Sequence, residues 1–217
     1  MQDKDLKNLL KTGAYELKAE LDEEKLTRFF LYSDELKKWN KKINLTSVAS
    51  DTDIVIRHYL DSLSVYDILV SRQAQKILDI GAGAGFPGIP LGIANPMFKV
   101  TLLESIEKKA HFLRHMARML GLNNVEVING RAESTEIIKG YSNTFDCVCS
   151  RALAGLSEVI GLSLPYAKKG GIIIAIKGPS VVDELKELDI KDIESPELHT
   201  VNIPFSNRKT FLVTLNT

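Results

Sequence analysis

An α/β fold is predicted by this sequence, with a doubly wound, mostly parallel sheet and helices on both faces. Three observations predict it. From Lys76 onward short apolar runs alternate with helical patterns, as repeated units of strand, crossover helix and parallel strand do. The first run, Ile77-Leu78-Asp79-Ile80, stops at a glycine-rich turn, Gly81-Ala82-Gly83-Ala84-Gly85. Pro87 follows where a helix can begin, because its missing N–H and fixed φ suit a first helical turn. The next run, Val100-Thr101-Leu102-Leu103-Glu104, ends in a carboxylate roughly twenty residues on, the place of the ribose-binding acid in a nucleotide crevice.

In chain order, residues 1–72 read as a helical extension ahead of a compact unit spanning 73–217. Asp22-Glu23-Glu24 has the form of a helix start, an N-cap followed by acids in the first turn, and Leu26, Phe29, Phe30, Leu36 and Trp39 follow at helical spacing as a core stripe. That helix runs into Lys37-Lys38-Trp39-Asn40-Lys41-Lys42. The lysines suit the negative pole of a helix, and they suit an RNA-facing patch equally well. A second helix is expected from Asp51 or Thr52 to about Val70, with Val55, Tyr59, Leu63 and Tyr66 on one face. Within it the i,i+4 spacing pairs Arg57 with Asp61 and His58 with Ser62, either as surface contacts or as a polar cluster at a cofactor mouth.

The strands read as 76–80, 99–104, 125–129, 145–150 and 171–177. Lys108 to Leu120 is an amphipathic helix with Phe112, Leu113, Met116 and Leu120 inward and Lys108, His111, Arg114, His115 and Arg118 outward. His111 and His115 have metal-ligand spacing, but with no acid beside them over 108–120 a basic solvated face is the better reading, and no metal is expected. After the third strand, Asn129-Gly130-Arg131-Ala132-Glu133 forms a loop at a strand's carboxyl end, which places the Ala132 backbone and Glu133 to meet an adenine ring. The tail from Glu197 to Leu215 reads as two strands joined around Pro204-Phe205-Ser206-Asn207.

At 217 residues the chain can bury a substantial core without disulfides. Cys147 and Cys149 lie too close in a strand-like run to bridge, since alternate residues share a face, so a reducing, cytoplasmic setting is expected. No apolar run approaches membrane length, and the opening Met1-Gln2-Asp3-Lys4-Asp5 lacks a signal-peptide core. Net charge is zero, from 28 basic and 28 acidic residues, yet residues 76–178 hold 12 basic against 8 acidic. That small local excess is compatible with a phosphate-binding patch.

The turn's spacing selects among cofactors. In the dinucleotide fingerprint G-x-G-x-x-G the third glycine lets the helix pack closely; here Phe86 stands there and the third glycine comes one residue early, so NAD fits poorly. A G-x-G-x-G turn with Asp79 two residues ahead resembles the Rossmann-like class I S-adenosylmethionine (SAM) methyltransferases. That resemblance implies a turn lying against the methionine half of SAM, an acid at Asp79 meeting its cationic amino group, Glu104 on its ribose, and a terminal antiparallel hairpin. The fourth strand ends in Ser150-Arg151-Ala152, neither the Asn/Asp-Pro-Pro-aromatic sequence of exocyclic-amine methylases nor the Pro-Cys of cytosine-C5 enzymes.

A narrower resemblance rests on motifs spread from Trp39 to Gly178: Trp39-Asn40 with Asn44-Leu45-Thr46-Ser47, Arg57-His58-x-x-Asp61-Ser62, Asp79 through Gly85-Phe86-Pro87-Gly88-Ile89-Pro90, Ser150-Arg151-Ala152 and Lys177-Gly178. Together they resemble the RsmG (GidB) family of bacterial small-subunit rRNA guanine-N7 methyltransferases. The resemblance implies SAM contacts from Gly81, Phe86, Ala132, Glu133 and Arg151, beside Gly83 and Gly85 of the cofactor-facing turn. It further implies a guanine of 16S rRNA or the small subunit as substrate. The local charge of the lysine cluster over 37–42 and the helix over 57–62 suits an RNA approach, with Lys41, Lys42, Arg57, His58, Asp61 and Lys177 as the expected contacts, and an N7 lone pair requires no catalytic side chain. A small-molecule SAM methyltransferase, a NAD-dependent dehydrogenase and a non-enzymatic SAM-binding module are the alternatives.

Overall fold

The computed structural model describes residues 3–48, 50–188 and 195–217. Its centre is a seven-stranded sheet in the order β3-β2-β1-β4-β5-β7-β6. The strands are β1 (Lys76–Ile80), β2 (Lys99–Glu104), β3 (Val125–Asn129), β4 (Phe145–Arg151), β5 (Ala167–Lys177), β6 (Glu197–Asn202) and β7 (Lys209–Asn216). The first five pair in parallel, and β7 runs antiparallel to both β5 and β6. The expected doubly wound sheet and terminal hairpin are both present. Strand order reverses between β1 and β4, and a crevice at the carboxyl ends of strands flanking such a reversal is where open α/β sheets take ligands. The last parallel strand starts four residues before the predicted 171, at Ala167.

Alternate residues of the central strands feed two cores. Ile77, Cys147, Cys149, Ile172, Ile174 and Ile176 face one side, while Leu78, Ile80, Val148, Ile173 and Ala175 face the other. Both cysteines are free and fully buried, behaving as small apolar residues, and burial pushes both thiols up. The first core also takes the N-terminal helices α1 (Asp3–Glu16) and α2 (Glu23–Asn40), so the extension and the sheet share one apolar cluster.

Asp22 caps α2 by accepting the Lys25 N–H at 2.8 Å, as its place before two acids predicts. Leu26, Phe29 and Leu36 are buried as expected, while Phe30 and Trp39 are half-buried at the edge of the same cluster. Trp39 packs against Phe112 and His115, with centroids 5.5 and 5.3 Å away, on α7 (Glu107–Met119). His115 is therefore not simply solvated: its Nε2 lies 3.0 Å from Glu35, a buried acid of α2. An acid also stands beside His111 after all. The helix begins at Glu107, one residue earlier than predicted, and puts Glu107 3.8 Å from His111. Among the described residues no cluster of His, Cys, Asp and Glu is arranged to hold a metal, and no helix is long and apolar enough to cross a membrane.

The helix expected from residue 51 to 70 is broken. It starts as α3 (Asp51–Ile54), widens into a π-helix (Val55–Leu60), resumes as α4 (Asp61–Leu63), and restarts after a turn as α5 (Tyr66–Ser71). A π segment inserts an extra residue per turn, so i,i+4 neighbours no longer stand above one another. Asp61 consequently does not pair with Arg57. Ser62 meets His58 only through its hydroxyl, which donates to the His58 carbonyl at 2.5 Å.

Candidate active site

The glycine turn is a backbone construction. Gly81, Gly83 and Gly85 have φ of 70°, 59° and 97°, left-handed values that side chains resist. The Gly81 and Ala82 N–H groups donate to the Leu103 carbonyl at 2.8 and 3.1 Å, hanging the turn from β2. Glu104 completes the suspension, accepting the Gly83 N–H at 2.8 Å with one oxygen and the Ile106 N–H at 2.7 Å with the other. From the helical layer, Tyr32 donates its hydroxyl to the Ala84 carbonyl. Pro87 then caps α6 (Gly88–Ala94), where the close approach usually allotted to a fingerprint's third glycine falls instead to Gly88: a Cβ there would come within 2.2 Å of Leu102 and 2.9 Å of Asp79.

Asp79 lies behind this turn rather than in the crevice. It is fully buried, one carboxylate oxygen accepts the Gly88 N–H at 2.9 Å, and the other has no partner. Burial raises its carboxyl to about 7, against the opposing pull of the Gly88 bond and Arg151.

In front of the turn opens a cavity of about 330 Å³ lined by Gly81, Gly83, Phe86, Glu104, His58 and Arg151, with Thr46, Ile106, Lys109 and Leu153 around its rim. A larger cavity, about 660 Å³ near the amino ends of β2 and β3, lies away from these residues. The smaller cavity combines glycine backbone, an acid and the carboxyl ends of parallel strands, the combination that binds nucleotide-like ligands.

One wall is a side-chain cluster gathered from five segments. His58 stacks on Phe86 with centroids 4.4 Å apart, and the Arg151 guanidinium lies 5.0 Å from the same ring. Arg151 donates to Asp61 at 2.8 Å and to the Arg57 carbonyl at 3.0 Å, and its second amino group is 3.2 Å from His58 Nδ1. The other Asp61 oxygen accepts the Thr210 hydroxyl from β7. His58 Nε2 meets the Thr46 hydroxyl at 2.7 Å, and Thr46 is fixed because Asn40 accepts the Leu45 and Thr46 N–H groups and donates to the Thr46 carbonyl. Burial first, then the Arg151 cation, lowers His58 to about 3, so its ring is neutral.

The remaining expected residues are spread out. Ala132 and Glu133 do not line the cavity; the Ala132 carbonyl takes the Tyr166 hydroxyl at 2.5 Å, and Glu133 is an exposed partner of Arg131. Gly85 packs inward beneath Tyr32 and Ile89. Arg57 is exposed beside the cluster. The lysine run divides. Lys37 is bonded to Asp51 and Lys38 to Glu35, both at 2.7 Å, whereas Lys41 and Lys42 are exposed and make no ion pair among the described residues. Lys177 is turned inward, 10% exposed, and holds Glu184 at 2.9 Å.

Sequence reasoning missed Tyr32, Ile106, Lys109 and Leu153 altogether. Ile106 and Leu153, 50% and 39% exposed at the cavity rim, carried one available signal: each is a large apolar residue two positions beyond a charged strand end, Glu104 or Arg151.

The residues in front of the turn fit SAM. A Cβ on Gly83 would meet only the Gly81 carbonyl, at 3.7 Å, so the backbone there is open toward the crevice. A buried carboxylate with an unpartnered oxygen lies just behind, suited to the field of a cationic ligand.

Comparison with known proteins agrees. Solved structures of similar architecture include an O-methyltransferase from Bacillus cereus in complex with SAH (TM-score 0.61, 20% identity, 86% of this chain and 91% of that one) and the O-methyltransferase TomG from Streptomyces achromogenes in complex with SAM (TM-score 0.61, 16% identity, all of both chains). At that identity they establish the fold, that of the class I SAM methyltransferases. Sequence relatives are closer. The Ribosomal RNA small subunit methyltransferase G of Clostridium novyi is 38% identical over 210 residues, 95% of this chain and 86% of the relative. Its namesake in Clostridium kluyveri is 42% identical over 179 residues, 82% and 76%. Residues 25–212 match the GidB family model, described as rRNA small subunit methyltransferase G, and the chain belongs to that family.

Proposed function

We infer that this protein is a SAM-dependent methyltransferase acting on N7 of a guanine in 16S rRNA, in the free RNA or the small ribosomal subunit, in the cytoplasm. Family membership supports the enzyme class and the rRNA substrate. One structural observation supports N7: the cavity wall offers no group ready to act as base or nucleophile. His58 is held at about 3 by burial, too weakly basic to serve, with both ring nitrogens engaged; Asp61 has both oxygens occupied, and the cysteines are buried with raised thiols. Guanine N7 exposes an acceptor lone pair on the major-groove edge and needs no deprotonation.

When bound, SAM supplies an electrophilic methyl group on a sulfonium. The chain's own work is then positioning. The backbone of Gly81 and Gly83 and the Glu104 carboxylate would hold the cofactor, with Asp79 behind the turn, its raised carboxyl drawn toward ionisation by a cationic ligand. Phe86, His58 and Arg151 form a rigid wall, held by Asp61, on which the entering base is oriented. Arg57, Lys41 and Lys42 meet phosphates, and Ala132 and Glu133 stand toward the adenine end.

The test is transfer of labelled methyl from SAM to 16S rRNA, to small subunits and to a metabolite pool, side by side. Label at guanine N7 in RNA is the expected result. Label only in metabolites selects a small-molecule enzyme, and tight SAM binding with no transfer selects a binding module.

A further inference from the structure

The loop between Arg151 and α9 (Leu156–Ser163) runs directly over the glycine turn. Leu153 packs so closely on Gly81 that a Cβ added there would lie 2.4 Å from its Cδ1. Ala152 holds φ of 54°, a left-handed value costly for a residue with a Cβ, so the loop must be constrained from outside. Its first end is fixed by Arg151 on Asp61. Its other end is fixed by two residues the mechanism does not use. Lys177 Nζ donates to the Ala154 carbonyl and, at 2.9 Å, to Glu184 of α10 (Val181–Lys186). The same Glu184 oxygen accepts the Leu156 N–H at 2.6 Å, capping α9, whose own N-cap residue, Gly155, has no side chain to do so. The Lys177 bond holds the Glu184 carboxyl below its usual range.

We propose that Lys177 and Glu184 are positioning residues that latch the Ala152–Gly155 loop over the methionine end of the SAM site, with Leu153 as the movable cover. This rests on the reading of the cavity as that site, and it takes Lys177 out of the RNA-contacting set. The two partners are seven positions apart in sequence, but they act on one short loop, at its Ala154 carbonyl and at the Leu156 N–H that follows it. Losing either partner frees the same segment.

The test compares Lys177→Met, Glu184→Gln, their combination and Lys177→Arg with the wild type, each checked for an unchanged melting profile. Four quantities are read: the release rate of labelled SAM, amide exchange over the segment containing Leu156, the separate kcat and KM for small subunits, and the salt dependence of RNA binding. Each single variant is expected to release SAM roughly tenfold faster or more, the scale of one lost charge-assisted hydrogen bond. Exchange at Leu156 should rise with it. The double variant should be no worse than either single one, as for two parts of one device. Lys177→Arg should recover most of the effect. The kcat should fall more than the RNA KM changes, and the salt slope should stay put. Unchanged SAM release and unchanged Leu156 exchange in both single variants would overturn the latch. So would a flatter salt slope with unchanged release in Lys177→Met, which makes Lys177 a phosphate contact. If Lys177→Met does not fold, Glu184→Gln decides by the same measures. A wild type that binds SAM but methylates no RNA would sink the functional reading, while release and exchange still decide the latch.

Discussion

The two walls of the cavity are built in opposite ways. The Gly81–Gly85 turn is made of backbone, hung from Leu103 and Glu104 by N–H groups, and it works because side chains are missing. The facing wall of Phe86, His58, Arg151 and Asp61 is made of side chains, drawn from the end of the turn, the π-helix, β4 and α4, and braced by Thr46 and by Thr210 of β7. The first wall is local and tolerates nothing added. The second is assembled from residues as far apart as Asp61 and Thr210, and it tolerates nothing removed.

The turn should therefore give the largest single effect. At Gly83 a Cβ meets no protein side chain, so Gly83→Val leaves the surroundings intact apart from the strain of φ at 59°, about 1–2 kcal/mol. Its branched side chain enters the cavity. SAM affinity measured by calorimetry should fall by roughly a hundredfold or beyond detection, because the cofactor loses the backbone approach glycine allows. Equal affinity in a folded variant would move the site elsewhere.

The side-chain wall predicts a loss of a different kind. Asp61→Asn removes the charge that holds Arg151, whose side chain is 16% exposed, and should cost about 1–3 kcal/mol in stability and in the transition state. SAM affinity should change far less than in Gly83→Val. With RNA and SAM saturating, single-turnover rates of wild type and variant should both be flat across pH 5.5 to 8.5, since a general base would add a titration and on the order of 10²–10⁴ in rate. A rate climbing through one pKa in the wild type, with the climb lost in Asp61→Asn or His58→Ala, would make that residue a base and end the positioning mechanism.

Within the lysine run the same contrast holds between tied and untied cations. Reversing Lys41 and Lys42 to Glu should weaken RNA binding and flatten its salt dependence by about two phosphate contacts, each worth roughly 0.7–0.9 in slope. Reversing Lys37 and Lys38, which are bonded to Asp51 and Glu35, should mainly lower the melting temperature. Identical salt slopes in the two pairs would make the distinction irrelevant to RNA.

The difference between the walls also explains what was legible in the chain. The sheet, the turn, the Asp22 cap and the terminal hairpin rest on periodicity and on glycine or proline chemistry, which are local. Each is found where the sequence predicts it. The i,i+4 pairing of Arg57 with Asp61 assumed a regular α-helix, and the π segment turned Asp61 toward Arg151 instead. Nothing near residue 57 announces that, because the competing partner is ninety residues away. Lys177 likewise reads as an available cation until α10 brings Glu184 beside it.

The smallest effect expected is also the one that separates the walls by sign. His58, on the side-chain wall, has its folded pKa lowered from 6.5 to about 3; Asp79, behind the turn, has its own raised from 3.8 to about 7. Between about pH 3 and 6.5 the unfolded chain takes up a proton at His58 that the folded one refuses, so this stabilising contribution is lost as pH falls through 6.5. Between 3.8 and about 7 the folded chain retains a proton at Asp79 that the unfolded one releases, so stability is lost as pH rises through that window. In the shared range the two oppose each other and nearly cancel, and each alone is worth about 1.4 kcal/mol per pH unit at most. The carboxyls of Glu35, Asp146 and Glu184 are held low, act below this range, and are common to all variants. Urea unfolding of Asp79→Asn should therefore show stability climbing from pH 4.5 to 6.5, and His58→Gln should show it falling over the same interval. Parallel curves for the two variants would mean that burial does not hold either group away from its ordinary titration, and the lowered basicity of His58 on which the base-free mechanism leans would lose its support.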